Sequence, residues 1–249
     1  MANYNSKFSG PQIDEAIGFA QNAVRCNDAQ TLTDTQKTQA RGNINAAPGG
    51  FGLGGAAKVL TPADNLNDVW QSGWYAWDAA PQNAPTAGGS LIPYCSMNVL
   101  NKGGNYNIHQ IARTFEGYEI HRYYDGSKQT WSEWAWVNPP MMAGVEYRTT
   151  EFYLGKPVYT KLVDCGSMPN STGKTVHGGI SNGESLVGIC GEYYNSTTSV
   201  SLPYTSGDST IAKCSAYISS GDCIIGLWAK NNESAQNARV LIKYTKTTD

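Results

Sequence analysis

A mainly β chain behind a short helical N-terminal region is the fold class this 249-residue sequence predicts. Its expected form is a small β domain, then a C-terminal β-sandwich or jelly roll, with self-association to bury the apolar surface left over. Composition is the first observation. Charged residues make up 15% of the chain, against a usual figure of roughly 25%. Gly, Asn, Ser and Thr fill the difference, and 15 Tyr with 7 Trp supply broad apolar surfaces, a mix that suits strands joined by tight turns. The second observation is a series of short strand-like runs with turn residues between them, from about residue 61 to the end. The third is that all helical periodicity lies in the first 60 residues.

The elements follow in order. After Pro11, the positions Ile13, Ala16, Ile17, Ala20, Ala23 and Val24 keep the i, i+3, i+4, i+7 spacing of an amphipathic helix. Its apolar stripe is narrow and rich in alanine, suited to packing against copies of itself. A second helix opens at Thr33, where Thr33-Asp34-Thr35-Gln36 has the capping-box pattern, and closes near Gly42. Helices this short are marginal alone, which argues for a partner. Residues 46–55, Ala-Ala-Pro-Gly-Gly-Phe-Gly-Leu-Gly-Gly, form a glycine-rich hinge that closes an N-terminal helical region over 1–60.

Residues 61–140 are expected to form a small β domain. Strands are expected at Gly73–Trp77, His109–Arg113, Tyr118–Tyr124 and Trp131–Trp136, with Asp125-Gly126 as a hairpin signal. Residues 141–249 are the expected sandwich, with strands around Tyr159–Val163, Leu186–Cys190, Cys223–Trp228 and Ala238–Tyr244. So small a unit is marginal by itself, and oligomerisation would help to bury its apolar surface.

Several function classes recede. A net charge of −2 with no basic cluster offers nothing to nucleic acid or anionic lipid. No apolar run approaches the roughly 20 residues that span a bilayer, so membrane insertion is not expected. The start, MANYNSKFSGPQIDEAI, lacks the apolar core of a signal peptide. Synthesis in a cytoplasm is therefore expected. The six cysteines (Cys26, Cys95, Cys165, Cys190, Cys214, Cys223) include no CxxC pair and read as free, mostly buried thiols. A Cys190–Cys214 or Cys165–Cys223 disulfide is the alternative.

Motifs that look like chemistry mostly fail on context. Gly50–Gly55 satisfies GxGxxG, but a helix and Pro48 precede it and Pro62 follows, where the dinucleotide motif needs a strand and then a helix. Gly173-Lys174-Thr175 resembles the end of a P-loop, yet Met168 stands where its first Gly belongs. Gly179–Gly183 matches GxSxG, but no histidine follows Ser181 to complete a hydrolase triad. Glu116, Glu119 and Asp125 could pair as glycosidase carboxylates, though acids around turns are usually solvated. His109 and His121 lack metal-ligand spacing; His177 could meet its copies on the axis of an oligomer, with ordinary hydrogen bonding the plainer reading. No cofactor, metal or catalytic residue is expected. Gly191–Thr197 differs: a polar stretch after an apolar strand, with Tyr193 and Tyr194 beside Asn195. Flat rings against sugar C–H faces, with amides and hydroxyls for sugar hydroxyls, are what glycan binding needs. Tyr193, Tyr194 and Asn195 are the expected ligand-binding residues; the plainer reading is a loop whose tyrosines pack a neighbouring subunit.

All three segments carry a family resemblance. Phe8-Ser9-Gly10-Pro11-Gln12-Ile13-Asp14-Glu15-Ala16 resembles the opening of many phage tail proteins, and Leu32–Ala47 is similar to their Leu-Thr-x-x-Gln-x-x-Gln-Ala-Arg-x-Asn-Ile-x-Ala-Ala element. Gly73-Trp74-Tyr75, Asn83-Ala84-Pro85, Gln110, Arg122, Asp125-Gly126 and Trp131–Trp134 resemble the knob of pyocin and phage tail fibres, with Glu133 departing from the usual Gly or Pro. Tyr153–Lys161, His177–Ile180 and Asn182 resemble landmarks of tail-tip modules. The resemblance implies a homotrimer at the distal end of a virion tail or bacteriocin particle. Its N-terminal region would hold other tail or baseplate proteins. Its tip would bind a bacterial surface glycan without catalysis. A structural adaptor and a polysaccharide depolymerase are the rival expectations.

Overall fold

The computed structural model describes residues 9–15, 31–43, 56–104, 106–206, 209–230 and 236–248. The glycine-rich hinge, most of the first helix and Cys26 lie outside them. The protein is mainly β, with helix α1 seen over residues 10–15 and helix α2 spanning Asp34–Asn43. The capping box forms as the sequence predicts. Thr33 N donates to Gln36 Oε1 at 2.9 Å, and Gln36 N donates to Thr33 Oγ1 at 3.3 Å, so two orphan amides of the first turn are satisfied reciprocally. No residue of α2 is buried.

One sheet runs through most of the chain. Its first part comprises β1 (Lys58–Val59), β2 (Gly73–Trp77), β5 (Cys95–Asn101), β6 (Asn107–Thr114), β7 (Glu119–Asp125) and β9 (Ala135–Trp136), with β8 (Thr130–Trp131) pairing β7 to the side. A separate small ribbon joins β3 (Thr86–Ala87) to β4 (Ser90–Leu91). Alternation sends Tyr75, Trp77, Met97, Val99, Ile108 and Ala112 to one face, where they are buried with Leu60 and Leu66. The expected strand Trp131–Trp136 is broken into β8 and β9. Between them the Trp134 Nε1 donates to Asn83 O at 2.9 Å, so this indole leaves the ladder for a loop partner. The Asp125-Gly126 turn is longer than a two-residue hairpin: Asp125 Oδ1 accepts from the Ser127 and Lys128 amides at 2.9 and 3.3 Å, and Gln129 takes a positive φ.

The sheet continues across residue 140, because β9 pairs β10 (Glu146–Tyr153) through Trp136 and Thr149. Tyr147 of β10 packs with Ile120 and Trp136. The order then runs through β11 (Lys156–Ser167), β18 (Asn237–Lys246), β13 (Gly183–Tyr194) and β14 (Ser199–Leu202). A second sheet, β12 (Gly173–His177), β17 (Asp222–Ala229), β16 (Ser209–Ser219) and β15 (Tyr204–Ser206), packs against it. Val240, Ile242 and Tyr244 face Cys223, Ile225 and Leu227 across that interior, all essentially solvent-free. Each aliphatic side chain among them stabilises the fold by about 1.5–3 kcal/mol. Two hairpins take positive φ at both turn residues, Leu154-Gly155 and Ser220-Gly221. That is the two-residue turn whose twist matches the strands it joins. All five described cysteines are free thiols, with Cys95, Cys165 and Cys223 buried; burial pushes Cys95 up to about 12.

Candidate functional site

Strand alternation decides what β13 offers to solvent. Gly191 and Tyr193 point into the sandwich, while Cys190, Glu192 and Tyr194 point out. Tyr193 is 4% exposed and belongs to the core. The expected loop is strand as far as Tyr194, since Glu192, Tyr193 and Tyr194 pair with both β14 and β18. Asn195 opens the turn. Its Oδ1 accepts from the Thr197 and Thr198 amides at 2.9 Å each, and its own amide donates to Thr198 O at 2.9 Å. Of the three expected residues, Tyr194 alone presents its ring on the outer face, Asn195 shapes the turn beside it, and Tyr193 anchors the strand beneath.

Residues distant in sequence complete the surface. On β18, Ala238, Val240 and Ile242 are buried, so Arg239 and Leu241 face outward. Arg239 stands in register between Glu192 of β13 and Asp164 of β11. Its guanidinium carbon lies 4.1 Å from the Tyr194 ring centroid, and Nη1 is 3.9 Å from Glu192 Oε1. Ser199 Oγ donates to Glu192 Oε2 at 2.5 Å. The next row is apolar, with Leu162 opposite Leu241 and Leu241 opposite Cys190. Two shallow hollows meet on Glu192, Ser199 and Arg239. One, of about 300 Å³, lies over Leu162 and Leu241; the other, of about 350 Å³, lies over the Asn195–Thr198 turn. An aromatic ring, a planar cation, a carboxylate and a hydroxyl beside an apolar floor can hold a polyhydroxylated ligand from several sides. Sequence reasoning missed Arg239, although the alternation Ala238-Arg239-Val240-Leu241 already marks it as outward-facing.

Other expected residues serve the fold. Gln110 and Arg122 are buried together: Arg122 Nε donates to Gln110 Oε1 at 2.8 Å and Nη1 to Asn67 Oδ1 at 2.8 Å. The guanidinium lies 4.3 Å from the Trp131 ring and 4.5 Å from Trp134. Gln110 Nε2 in turn donates to Leu66 O and Val69 O at 2.8 and 3.0 Å. His177 Nδ1 is 3.0 Å from Asp222 Oδ2, and Asp222 Oδ1 accepts from the Ile180 amide at 3.0 Å. Glu119 bonds Arg113 and His121, both at 2.8 Å, and Asp125 serves its own turn. Ser181 lies in a turn that leads from β12 into β13, a strand, where a nucleophile elbow requires a helix. Gly173–Thr175 is strand.

No protein-family model and no curated protein matches the chain. Among solved structures it is similar to a C-terminal fragment of the P. aeruginosa R1 pyocin fibre, at 14% identity and a TM-score of 0.25. That match covers 75% of this chain and 66% of the fragment, just under two thirds of its length. It is similar as well to an N-truncated R2-type pyocin tail fibre, at 11% identity and a TM-score of 0.26, over 76% of this chain and 96% of that one.

Proposed function

We propose that this chain is a tail-fibre receptor-binding protein that holds a bacterial surface polysaccharide non-covalently on the outer face of the β11–β18–β13–β14 sheet. The observation that carries the site is the Arg239 guanidinium 4.1 Å over Tyr194, between Glu192 and Asp164 in register and beside Ser199. Charged planar groups bond sugar hydroxyls, and the Leu162–Leu241 row takes an apolar sugar face. The placement on a tail is supported by the phrases at Phe8–Ala16 and Leu32–Ala47. In this reading residues 1–60 attach and trimerise, 61–140 form the knob, and 141–249 carry the site at the distal end of the particle. Trimerisation is supported by the outward face of the knob sheet, where Trp74, Leu100 and Tyr123 are 47%, 56% and 44% exposed. Three weak sites per trimer then gain by avidity.

The test uses the full chain, fluorescently labelled, on whole cells of candidate strains, with its mass read by light scattering. Three chains per particle and binding that is lost when surface glycans are stripped are expected. Arg239→Ala and Tyr194→Ala should each weaken it at least tenfold. Sugar released into the medium would make the protein a depolymerase. A folded trimer that binds no strain would make it an adaptor.

A further inference from the structure

The outer face of the second sheet has a different chemistry. On β17 the inward residues are Cys223, Ile225, Leu227 and Ala229, which leaves Ile224, Gly226 and Trp228 facing out. Register aligns three rows across β12, β17 and β16. Gly173, Trp228 and Lys213 form one row; Thr175, Gly226 and Ser215 the next; His177, Ile224 and Tyr217 the third. The middle row is low, holding two hydroxyls and no side chain at Gly226. A Cβ there would stand 3.0 Å from Ser215 Oγ. The outer rows rise on either side of this trench as Trp228 and Tyr217, the latter 59% exposed. Trp228 and Ile224 are four residues apart, about 13 Å along the strand, and the three strands span about 10 Å.

Charge distinguishes this trench from the Arg239 site. Lys213 lies with its ammonium 5.3 Å from the Trp228 ring, and Lys230 is exposed just beyond the end of β17. The only carboxylate on β12, β16 and β17 is Asp222. Its oxygens are already engaged by His177, at 3.0 Å, and by the Ile180 and Cys223 amides, at 3.0 and 2.8 Å. An accessible cation beside an indole, with no competing free carboxylate on these strands, is complementary to an acidic sugar.

We infer that this trench is a second glycan subsite, which takes a polysaccharide bearing carboxylated sugars. The pyranose faces pack on Trp228 and Tyr217, Thr175 and Ser215 bond hydroxyls over Gly226, and Lys213 pairs with the carboxylate. The inference rests on the reading of the chain as a glycan binder, and its test separates the two. Full-length protein is passed over immobilised bacterial surface polysaccharides, some bearing uronic acids and others neutral. Retention on one or more acidic polymers is expected. It should weaken at least tenfold when their carboxyls are reduced to alcohols, and equally with Lys213→Ala, Tyr217→Ala or Gly226→Val. Phe115→Ala, on the remote β6–β7 turn, should change nothing. Circular dichroism checks that each variant is folded; Tyr217 and Lys213 are exposed, so their removal leaves the interior intact. Retention on neutral polymers alone, or retention indifferent to these variants, overturns the subsite. If retention falls with Arg239→Ala but not with Tyr217→Ala, the Arg239 site stands and the trench falls. Retention on nothing overturns both.

Discussion

Arg122 shows what one side chain does when it is buried without a carboxylate partner. Its guanidinium is 5% exposed as a residue, stacked between Trp131 and Trp134, and bonded to Gln110 and Asn67. Burial drives its pKa down, to about 9, against the opposing charge of Glu133. Desolvated cation–aromatic contacts are worth about 2 kcal/mol, and hydrogen bonds to a charged group about 1.5–3 kcal/mol. Arg122→Ala should therefore cost about 3 kcal/mol or more, read as a lowered urea midpoint by tryptophan fluorescence. Arg122→Lys should recover little, because an ammonium cannot bond Gln110 and Asn67 while stacking flat on two indoles. A loss under about 0.5 kcal/mol in either variant would refute this role. The sequence singles out Gln110, Arg122, Trp131 and Trp134 individually; the pairing of β6 with β7 sets Gln110 opposite Arg122, and the two half-buried indoles close over the guanidinium.

Strand β13 carries both the site and the interior, and its glycines separate the two duties. At Gly191 a Cβ would meet Cys214 Sγ at 3.1 Å and Leu202 Cδ1 at 3.3 Å, so the second sheet lies directly over it. At Gly188 a Cβ would meet nothing within 4 Å. Gly191→Val should thus cost about 1–3 kcal/mol by overpacking, while Gly188→Ala should leave the melting temperature within about a degree or two, consistent with a surface change. Equal effects would mean that the sheets do not approach as described. The apolar run Leu186–Cys190 identifies this strand in the sequence. Its continuation to Tyr194 does not show there, because Gly191, Glu192 and Asn195 have poor strand propensity. Pairing with β14 on one side and β18 on the other overrides that preference.

At the scale of the whole molecule, acid and base act through different groups. Glu119 is held below the usual carboxylate range by its bond to His121, with burial opposing and Arg113 assisting. Burial would raise Asp222, but bonds from the Ile180 amide, His177 and the Cys223 amide outweigh it. Folded values below the unfolded ones mean stability that is full above about pH 4 and lost as pH falls through the lower folded values. The melting temperature should therefore drop as pH is taken from about 5 to about 2, less steeply in a Glu119→Gln, Asp222→Asn double variant. Buried thiols act at the other end, since Cys165 and Cys223 are both pushed up to about 11 by burial. Their contribution is full below the ordinary thiol value and fades as pH rises toward 11. A flat acid arm would contradict the carboxylate account.

The β class, the capped second helix and most strand centres were legible in the sequence, because alternation, turn chemistry and capping act over a few neighbouring residues. Strands rich in polar residues, such as Glu146–Tyr153 and Gly173–His177, were not legible. Their strand state comes from the partners they pair with. The same division holds for the site. Tyr194 stands out locally as an aromatic beside amides and hydroxyls. Only the tertiary structure turns Tyr193 inward and brings Arg239 from the last strand over the Tyr194 ring. It also sets Asp164 and Glu192 on either side of Arg239 and lines up Trp228, Gly226, Lys213 and Tyr217 on one outer face. Register between strands far apart in the chain is a long-range property, fixed by how the buried faces fit together.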